Sequence, residues 1–210
     1  MSIPVASSPA VAASGLACRR GERLLFRELN LAVEPGQIVW VRGANGQGKT
    51  SLLRLLGGLA RPEAGRIAFA ADRKRVYVGH ANALKDDLTV AESLLFLSRL
   101  HGFSSEADAQ AGALRRFGLH SRRNAPVRTL SQGQRRRVAL ARLCVAPASG
   151  LWLLDEPFDA LDAEGVEALN ALLAEHAGRG GCVVLTSHVP LSLASPKPIL
   201  VALNETVASA

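Results

Sequence analysis

The sequence predicts a single α/β domain, a β-sheet flanked by helices with a mostly helical segment inserted into it. Short apolar runs typical of buried strands alternate with stretches in which apolar residues recur at helical spacing. A glycine-rich loop joins one of these strands to a helix, and the longest helical stretch occupies about residues 81–147. We expect the domain to span 16–204, after a loose N-terminal tail over 1–15.

The composition is that of a folded protein without a membrane span. Of its 210 residues, 48% are hydrophobic and 20% charged. No apolar run approaches the roughly 20 residues that cross a bilayer. A signal peptide is not favoured, because no Lys or Arg precedes Arg19 and prolines interrupt the N-terminus. If the chain serves a membrane process, another chain must supply the pore.

Cysteine usage and charge bear on the environment and the partners. The three cysteines are odd in number and lack metal or redox spacing, which suits a reducing cytoplasm. The net charge of +7 comes mostly from arginine, but no basic run is interleaved with aromatic residues. Charge alone therefore favours no partner, and we expect no nucleic acid to bind.

The first part of the chain reads as strands around one helix. Two strands are predicted within 16–33, on either side of a turn at 20–22. A helix should begin at Lys49 and run to about Leu59, where glycines and Pro62 stop it. The other strands predicted here are 37–41, 65–69 and 76–79.

The second part begins with the helical insertion and then returns to alternating strands and helices. Apolar residues recur at helical spacing between 88 and 119. A further helix is predicted over 131–145, near the end of the insertion. The elements predicted after the insertion are a strand over 151–154, a helix over 163–176 and a strand over 182–186.

The glycine-rich loop has the sequence of a phosphate-binding loop. It reads Gly43-Ala44-Asn45-Gly46-Gln47-Gly48-Lys49-Thr50, followed by Ser51, and matches G-x-x-x-x-G-K-[ST] between a strand and a helix. Its glycines let backbone N–H groups turn toward phosphate oxygens, and the helix N-terminus adds partial positive charge. We expect Lys49 to reach the β- and γ-phosphates and the Thr50 hydroxyl to ligate Mg²⁺. An ordinary glycine-rich turn is the alternative.

Two adjacent acids end the apolar strand over 151–154. Neighbouring side chains at a strand end point in different directions, so one carboxylate can hold a metal while the other polarises water. We assign the Mg²⁺ role to Asp155 and the general-base role to Glu156. Strands often end in acids at the surface, but the phosphate-binding loop upstream favours the functional interpretation.

A helix start at Ser131-Gln132-Gly133-Gln134 precedes three consecutive arginines. Ser131 with Gln134 three residues on is a capping box, which explains part of the pattern. In the functional interpretation, the exposed N–H groups of this helix start face a γ-phosphate. The helical insertion holds them away from Lys49, so the phosphate would belong to a second copy of the chain.

The motifs together resemble those of the ABC ATPases over essentially residues 16–204. In chain order they are the phosphate-binding loop, Leu130-Ser131-Gln132-Gly133-Gln134, the strand ending Asp155-Glu156-Pro157, Ala160-Leu161-Asp162, and His188. The resemblance implies a P-loop NTPase fold with a RecA-like core, an N-terminal antiparallel β region and an inserted helical subdomain. It implies an ATPase that works as a homodimer, in which two protomers sandwich two ATP molecules with Mg²⁺.

The resemblance also implies roles for single residues. Ser131 and Gly133 would complete the opposite protomer's site, Asp162 would communicate between sites, and His188 would contact the γ-phosphate and the attacking water. Three residues depart from the family pattern. His80 replaces a glutamine at the hinge to the membrane partner, Arg20 stands where an aromatic residue usually stacks on adenine, and Gln132 replaces a glycine. Guanidinium can also stack on a flat base.

Further motifs resemble the ATP-binding subunits of bacterial cytochrome c maturation systems, which are named haem exporters. They are Gly79-His80, Leu84-Lys85, Leu88-Thr89, Glu92-Ser93-Leu94, Phe96, the run Asp155 to Asp162, Gly165-Val166 and His188-Val189-Pro190-Leu191. The resemblance implies integral membrane partners and a peripheral place on the cytoplasmic face of the bacterial inner membrane. Hydrolysis would drive release of a haem-loaded chaperone. An ATPase of another ABC exporter or importer, and an inactive regulatory cassette, are the alternatives.

Overall fold

The computed structural model describes residues 8–191, 193 and 195–203. In chain order the elements are β1 (Val11–Arg20), β2 (Arg23–Val33), β3 (Ile38–Arg42), α1 (Lys49–Leu56), β4 (Ala64–Phe69), β5 (Arg75–Val78), α2 (Val90–Leu100), α3 (Ala107–Arg116), α4 (Gln132–Ala141), β6 (Leu151–Leu154), α5 (Ala163–Gly178), β7 (Cys182–Thr186) and β8 (Ile199–Ala202). Short 3₁₀-helices occupy His120–Arg122, Val127–Thr129 and Arg142–Val145.

A three-stranded antiparallel sheet, in the order β2-β1-β4, forms the N-terminal region. Its central strand β1 begins at Val11, so the prediction of a loose tail is wrong for residues 11–15. Val11 and Ala13 are buried, and both pair with β2 on one side and β4 on the other. Burial on alternate residues and two ladders of hydrogen bonds order this stretch despite its Ala- and Ser-rich composition. Residues 1–7 and 204 lie outside the described residues.

A five-stranded parallel sheet, in the order β5-β6-β7-β3-β8, forms the core. Every residue of β6 and β7 is buried, because helices and the antiparallel sheet cover both faces. The carboxyl ends of parallel strands meet at one edge. That edge brings together the phosphate-binding loop after β3, His80 after β5, Asp155 after β6 and His188 after β7. Edge strand β8 was not predicted.

The helical insertion contains α2, α3 and α4 between β5 and β6. The helix predicted over 131–145 is α4 as far as Ala141, and Arg142–Val145 continue it as a 3₁₀ turn. Helix α1 ends at Leu56, earlier than the predicted Leu59, because Gly57 caps it and Gly58 adopts a left-handed backbone with φ of 71°. Within the described residues, no helix combines the length and the apolarity needed to cross a membrane.

Candidate active site

Most of the sequence-predicted residues lie around one cleft of about 450 Å³ at the carboxyl edge of the parallel sheet. Residues of the phosphate-binding loop, Ser51, Asp155, Glu156, His188, His80 and Arg20 all line it. The turn between β1 and β2 forms the opposite wall, where Arg23 and Leu25 also lie. The fold thus assembles at one place residues that lie up to 168 positions apart in the chain.

The phosphate-binding loop holds its shape before any phosphate enters. Gly46 and Gly48 have φ of 80° and 99°, a left-handed conformation that side chains disfavour. The Lys49 ammonium donates to the Gly43 carbonyl at 2.8 Å, and the Gln47 side-chain oxygen accepts from the Ala44 amide at 2.6 Å. Gly48 caps α1, so the positive end of that helix opens into the cleft. The loop therefore offers a cation and a helix terminus to an anion.

Asp155 lies at the floor of the cleft between two hydroxyls. Thr50 donates to one carboxylate oxygen at 2.8 Å, and Thr186 donates to the other at 3.0 Å. Asp155 is 3% exposed, so these two hydrogen bonds replace those that water would make to its carboxylate. A hydroxyl and a carboxylate side by side are hard oxygen donors of the kind that Mg²⁺ prefers when phosphate oxygens complete its shell. The residues present fit that ion.

Glu156 has a strained backbone and a free carboxylate oxygen. Its φ is 45°, which is unusual for a residue other than glycine, and its amide donates to the Thr186 hydroxyl at 2.9 Å. One carboxylate oxygen accepts from the His188 amide at 3.1 Å. The other is buried with no hydrogen-bond partner among the described residues and lies 3.4 Å from the His188 ring Nε2. An unpaired carboxylate oxygen at a cleft can accept a proton.

The helix start predicted to act on another protomer lies apart from this cleft. Ser131 accepts from the Gln134 amide at 3.2 Å, and the Gln134 side chain accepts from the Ser131 amide at 3.1 Å. Ser131 and Gln132 are exposed, and no residue of 131–134 lines the cleft in the described part of the chain. A Cβ on Gly133 would lie 2.6 Å from the Ala160 carbonyl oxygen, so packing alone requires glycine there.

Asp162 also lies outside the cleft wall. Its carboxylate caps α5 by accepting from the Gly165 amide at 3.0 Å and accepts from the guanidinium of Arg137. The hydrogen bond from Arg137, followed by that from Gly165, lowers the pKa of Asp162 below its ordinary value. In this protomer Asp162 thus joins α5 to α4.

His80 and Arg20 both line the cleft. His80 is 76% exposed, and its Nδ1 lies 3.6 Å from an Asp159 carboxylate oxygen that also faces the cleft. Arg20 ends β1 at the turn into β2 and is exposed. Their predicted roles depend on a nucleotide and a membrane partner, and stay predictions.

Sequence reasoning missed four residues that shape this site. Arg23 and Asp159 line the cleft, Thr186 hydrogen-bonds to both acids, and Arg136 binds the backbone of the loop after β6. Asp159 could have been predicted from the sequence as a residue of the site, because it lies only three residues after Glu156. Thr186 is 30 positions from Glu156, and nothing local predicts that contact.

The comparisons with known proteins agree with this geometry. The family described as ABC transporter matches residues 26–159. The chain belongs to the ABC transporter family. It is an ATP-binding, ATP-hydrolysing subunit of that family, as the sequence predicted.

Several relatives match along nearly the whole chain and share the name cytochrome c biogenesis ATP-binding export protein CcmA. That of Aromatoleum aromaticum is 48% identical over 93% of this chain and 96% of its own length. That of Pseudomonas syringae pv. syringae is 47% identical over 90% of this chain and 92% of its own length. That of Nitrosococcus oceani is 43% identical over 92% of both chains. The predicted resemblance is confirmed.

Solved structures support the fold. An ABC transporter ATP-binding protein from Pyrococcus furiosus superposes with a TM-score of 0.80 at 22% identity, covering 92% of this chain and 96% of that one. An ATP-binding subunit of an ABC transporter gives a TM-score of 0.75 at 24% identity, over 86% of this chain and 80% of that one. The predicted ABC ATPase fold is confirmed.

Proposed function

We propose that this chain hydrolyses ATP for a membrane complex of cytochrome c maturation, acting in haem export or in the release of a haem-loaded chaperone. The observation that carries the catalytic part is the free Glu156 carboxylate oxygen at the cleft that holds Lys49. The CcmA-type relatives, similar along nearly the full chain, support the assignment to cytochrome c maturation.

The phosphate-binding loop holds the triphosphate. Backbone N–H groups of residues 43–51 and the Lys49 ammonium bind the β- and γ-phosphates, because both present positive charge to the same cleft. Thr50 and Asp155 hold Mg²⁺, which neutralises charge on the phosphates when bound. Arg20 stacks on the adenine, a role supported by its position in the lining of the cleft.

Hydrolysis needs a base, and the unpaired Glu156 carboxylate oxygen at the cleft supports that role for Glu156. The carboxylate accepts a proton from water while the water oxygen bonds to the γ-phosphorus and the bond to the β–γ bridging oxygen breaks. ADP and phosphate are the products. The His188 ring binds the γ-phosphate and orients the water; it lines the same cleft, and its Nε2 lies 3.4 Å from the Glu156 carboxylate, which supports this role.

A second protomer completes each site. Ser131 and Gly133 stand at an exposed helix start outside their own cleft, which suits donation to the γ-phosphate of a partner copy. Asp162, fixed to α4 through Arg137, carries the state of one site to the other.

His80 couples hydrolysis to integral membrane subunits at the cytoplasmic face of the inner membrane. It lies on the loop after β5, at the junction of the parallel sheet and the helical insertion, and its ring reaches the cleft. His80→Ala should therefore reduce stimulation by the membrane partner several-fold more than basal turnover. The measurement compares ATPase rates of the isolated chain and of the membrane complex. Equal losses in both would contradict a coupling role.

Affinity purification of the tagged chain from detergent-solubilised membranes tests the physiological assignment. We expect the tagged chain to retain integral membrane subunits of haem handling, which mass spectrometry identifies. The Ser105→Arg variant, which changes an exposed residue, is the control for a surface substitution. Recovery of a drug or lipid permease instead would assign the chain to another ABC exporter, and the ATPase chemistry would stand.

A further inference from the structure

One buried arginine outside the recognised motifs connects the catalytic loops. Arg136 lies in α4, is 3% exposed and does not line the ATP cleft. Its guanidinium donates to five oxygens: Pro157 O at 3.2 Å, Gly79 O at 2.8 Å, Asn82 Oδ1 at 3.2 Å, Asp155 O at 2.9 Å and Glu156 O at 2.8 Å. A guanidinium has five N–H donors, so this side chain uses its full capacity.

The five acceptors belong to two loops. Asp155, Glu156 and Pro157 follow β6, whereas Gly79 and Asn82 flank His80 after β5. Arg136 itself lies one turn into the helix that begins with the capping box of Ser131. A single planar group thus holds the loop that carries Glu156 and the loop that carries His80 against α4. The neighbouring Arg137 does something different, because it binds Asp162 and the Phe117 carbonyl.

The Glu156 contact has a specific consequence. At φ of 45° the Glu156 backbone is held in a left-handed conformation that residues other than glycine rarely adopt and that persists only where surrounding groups fix it. Arg136 binds its carbonyl at 2.8 Å and Thr186 binds its amide at 2.9 Å. These two side chains hold the peptide groups on both sides of the Glu156 Cα, and so determine where the carboxylate points.

Charge also favours an ordered arrangement around this group. Burial lowers the pKa of Arg136 below its ordinary value, while Asp159, Asp155 and Glu156 oppose that shift. A buried cation is stable only when hydrogen-bonded and compensated. Four carbonyls, one side-chain amide oxygen and three nearby carboxylates provide both here.

We propose that Arg136 is a positioning residue for ATP hydrolysis, which fixes the Glu156 carboxylate and the His80 loop relative to α4. The inference rests on the proposed roles of Glu156 and His80. Because α4 is joined to both loops, any displacement of its tip by a partner's nucleotide moves the base and the coupling loop with it. Lysine cannot replace this function, since one ammonium has three donors and no planar fork.

Steady-state ATPase kinetics of the full chain with Arg136→Lys and Arg136→Gln test the proposal. We expect kcat to fall about 10- to 100-fold, as for an ångström-scale misplacement of a catalytic group. KM for ATP should stay within about threefold, because the phosphate-binding loop is untouched. Arg116→Gln, which removes a guanidinium ion-paired with Glu175 away from the cleft, should keep the wild-type kcat.

A double-variant comparison separates positioning from general damage. If Arg136 acts through Glu156, adding Arg136→Lys to Glu156→Gln should cause little further loss of kcat, because the group it positions is already inactive. Three outcomes would overturn the proposal. They are losses of kcat that multiply in the double variant, a loss of ATP binding that parallels the loss of kcat, and an Arg136→Lys chain that shows no native unfolding transition. Full turnover by Glu156→Gln alone would instead refute the proposed base and leave Arg136 without its target.

Discussion

Two threonines determine how the acids of this cleft are presented. Thr50 and Thr186 each donate to one oxygen of Asp155, and Thr186 also accepts from the Glu156 amide. Both oxygens of Asp155 are thereby occupied, whereas one oxygen of Glu156 has no hydrogen-bond partner among the described residues. Adjacent carboxylates thus have different environments, which is what separate metal-binding and proton-accepting roles require.

Glu156→Gln tests this division directly. The amide keeps the shape of the side chain but cannot accept the proton of the attacking water, so we expect kcat to fall by at least about 10²-fold. ATP affinity should change little, because Lys49 and Thr50 remain. Phosphate release and equilibrium binding of labelled ATP measure the two quantities.

A matched control for that experiment is Glu175→Gln, which alters an exposed glutamate paired with Arg116. It should turn over ATP at the wild-type rate. Unchanged hydrolysis in Glu156→Gln would remove that residue from the role of base.

Sequence predicted the residues of this site where the chemistry needs fixed local spacing. The phosphate-binding loop is one such stretch, and the acid pair at the end of β6 is another. Thr186 and Arg136 were missed because their contacts span 30 and 20 positions and depend on how β7 and α4 pack beside β6. Arg23 was missed because only the fold of the β1–β2 turn directs it to the cleft.

At the scale of elements, two helices of the insertion begin in the same way. Thr89 and Ser131 each form a capping box, with Glu92 and Gln134 three residues on. A capping box stabilises its helix wherever it lies. The motif at Ser131 therefore has a structural explanation, and its second role is suggested by the resemblance to the ABC ATPases together with its exposed position at the start of α4.

Parallel substitutions distinguish the two explanations. Ser131→Ala and Thr89→Ala should each lower the free energy of unfolding by about 1 kcal/mol, as the loss of a cap does. Only Ser131→Ala should also reduce ATP turnover several-fold, because only that hydroxyl is expected at a partner's γ-phosphate. Urea unfolding and ATPase assays on both variants give the comparison. Equal ATPase rates would leave Ser131 as a cap alone.

Element boundaries were predictable where local chemistry sets them. The glycines after α1 allowed its end to be predicted to within a few residues, and the apolar run of β6 allowed the same for that strand. The strand β8 has three exposed residues of four and exists because it pairs with β3, which no local pattern reveals. The start of β1 was missed for the same reason, since its order comes from two partners distant in sequence.

At the scale of the whole molecule, a buried histidine joins α5 to the parallel sheet. The His176 ring stacks on Trp152 at 3.6 Å, and its Nε2 lies 2.9 Å from the Gly150 carbonyl oxygen. A Cβ on Gly181 would lie 2.3 Å from the ring, so the chain also closes over it. The pKa of His176 is lowered from 6.5 to about 4, chiefly by burial; hydrogen bonds with the Gly150 and Cys182 backbone oppose this shift, and the charges of Arg73 and Arg179 add to it.

Stability should therefore depend on pH through this residue. The unfolded chain takes up a proton near pH 6.5 and the folded chain only near pH 4, so stability is full above 6.5 and falls as pH drops toward 4. Between pH 7 and pH 5 we expect a loss of about 2 kcal/mol from His176. His176→Phe, which keeps the stacking, should remove most of it, whereas His120→Gln should not. Urea midpoints at both pH values measure this, and parallel slopes for wild type and His176→Phe would refute it.

Nucleotide should decide whether two copies of the chain associate. Each protomer has a net charge of +7, so two protomers repel one another until magnesium ATP brings negative charge between them. We expect Glu156→Gln with ATP to sediment at twice the 22.1 kDa mass of the chain, and without nucleotide as a monomer.

Ser131→Arg in the Glu156→Gln background should abolish the dimer, because a long side chain then blocks the helix tip that meets the phosphate. Ser105→Arg, the same change at an exposed loop of the insertion, should leave the dimer intact. Two outcomes would show that the helix tip does not close a partner's site. In the first, ATP produces no dimer even at protein concentrations well above those used in the ATPase assays. In the second, Ser131→Arg dimerises as well as Ser105→Arg.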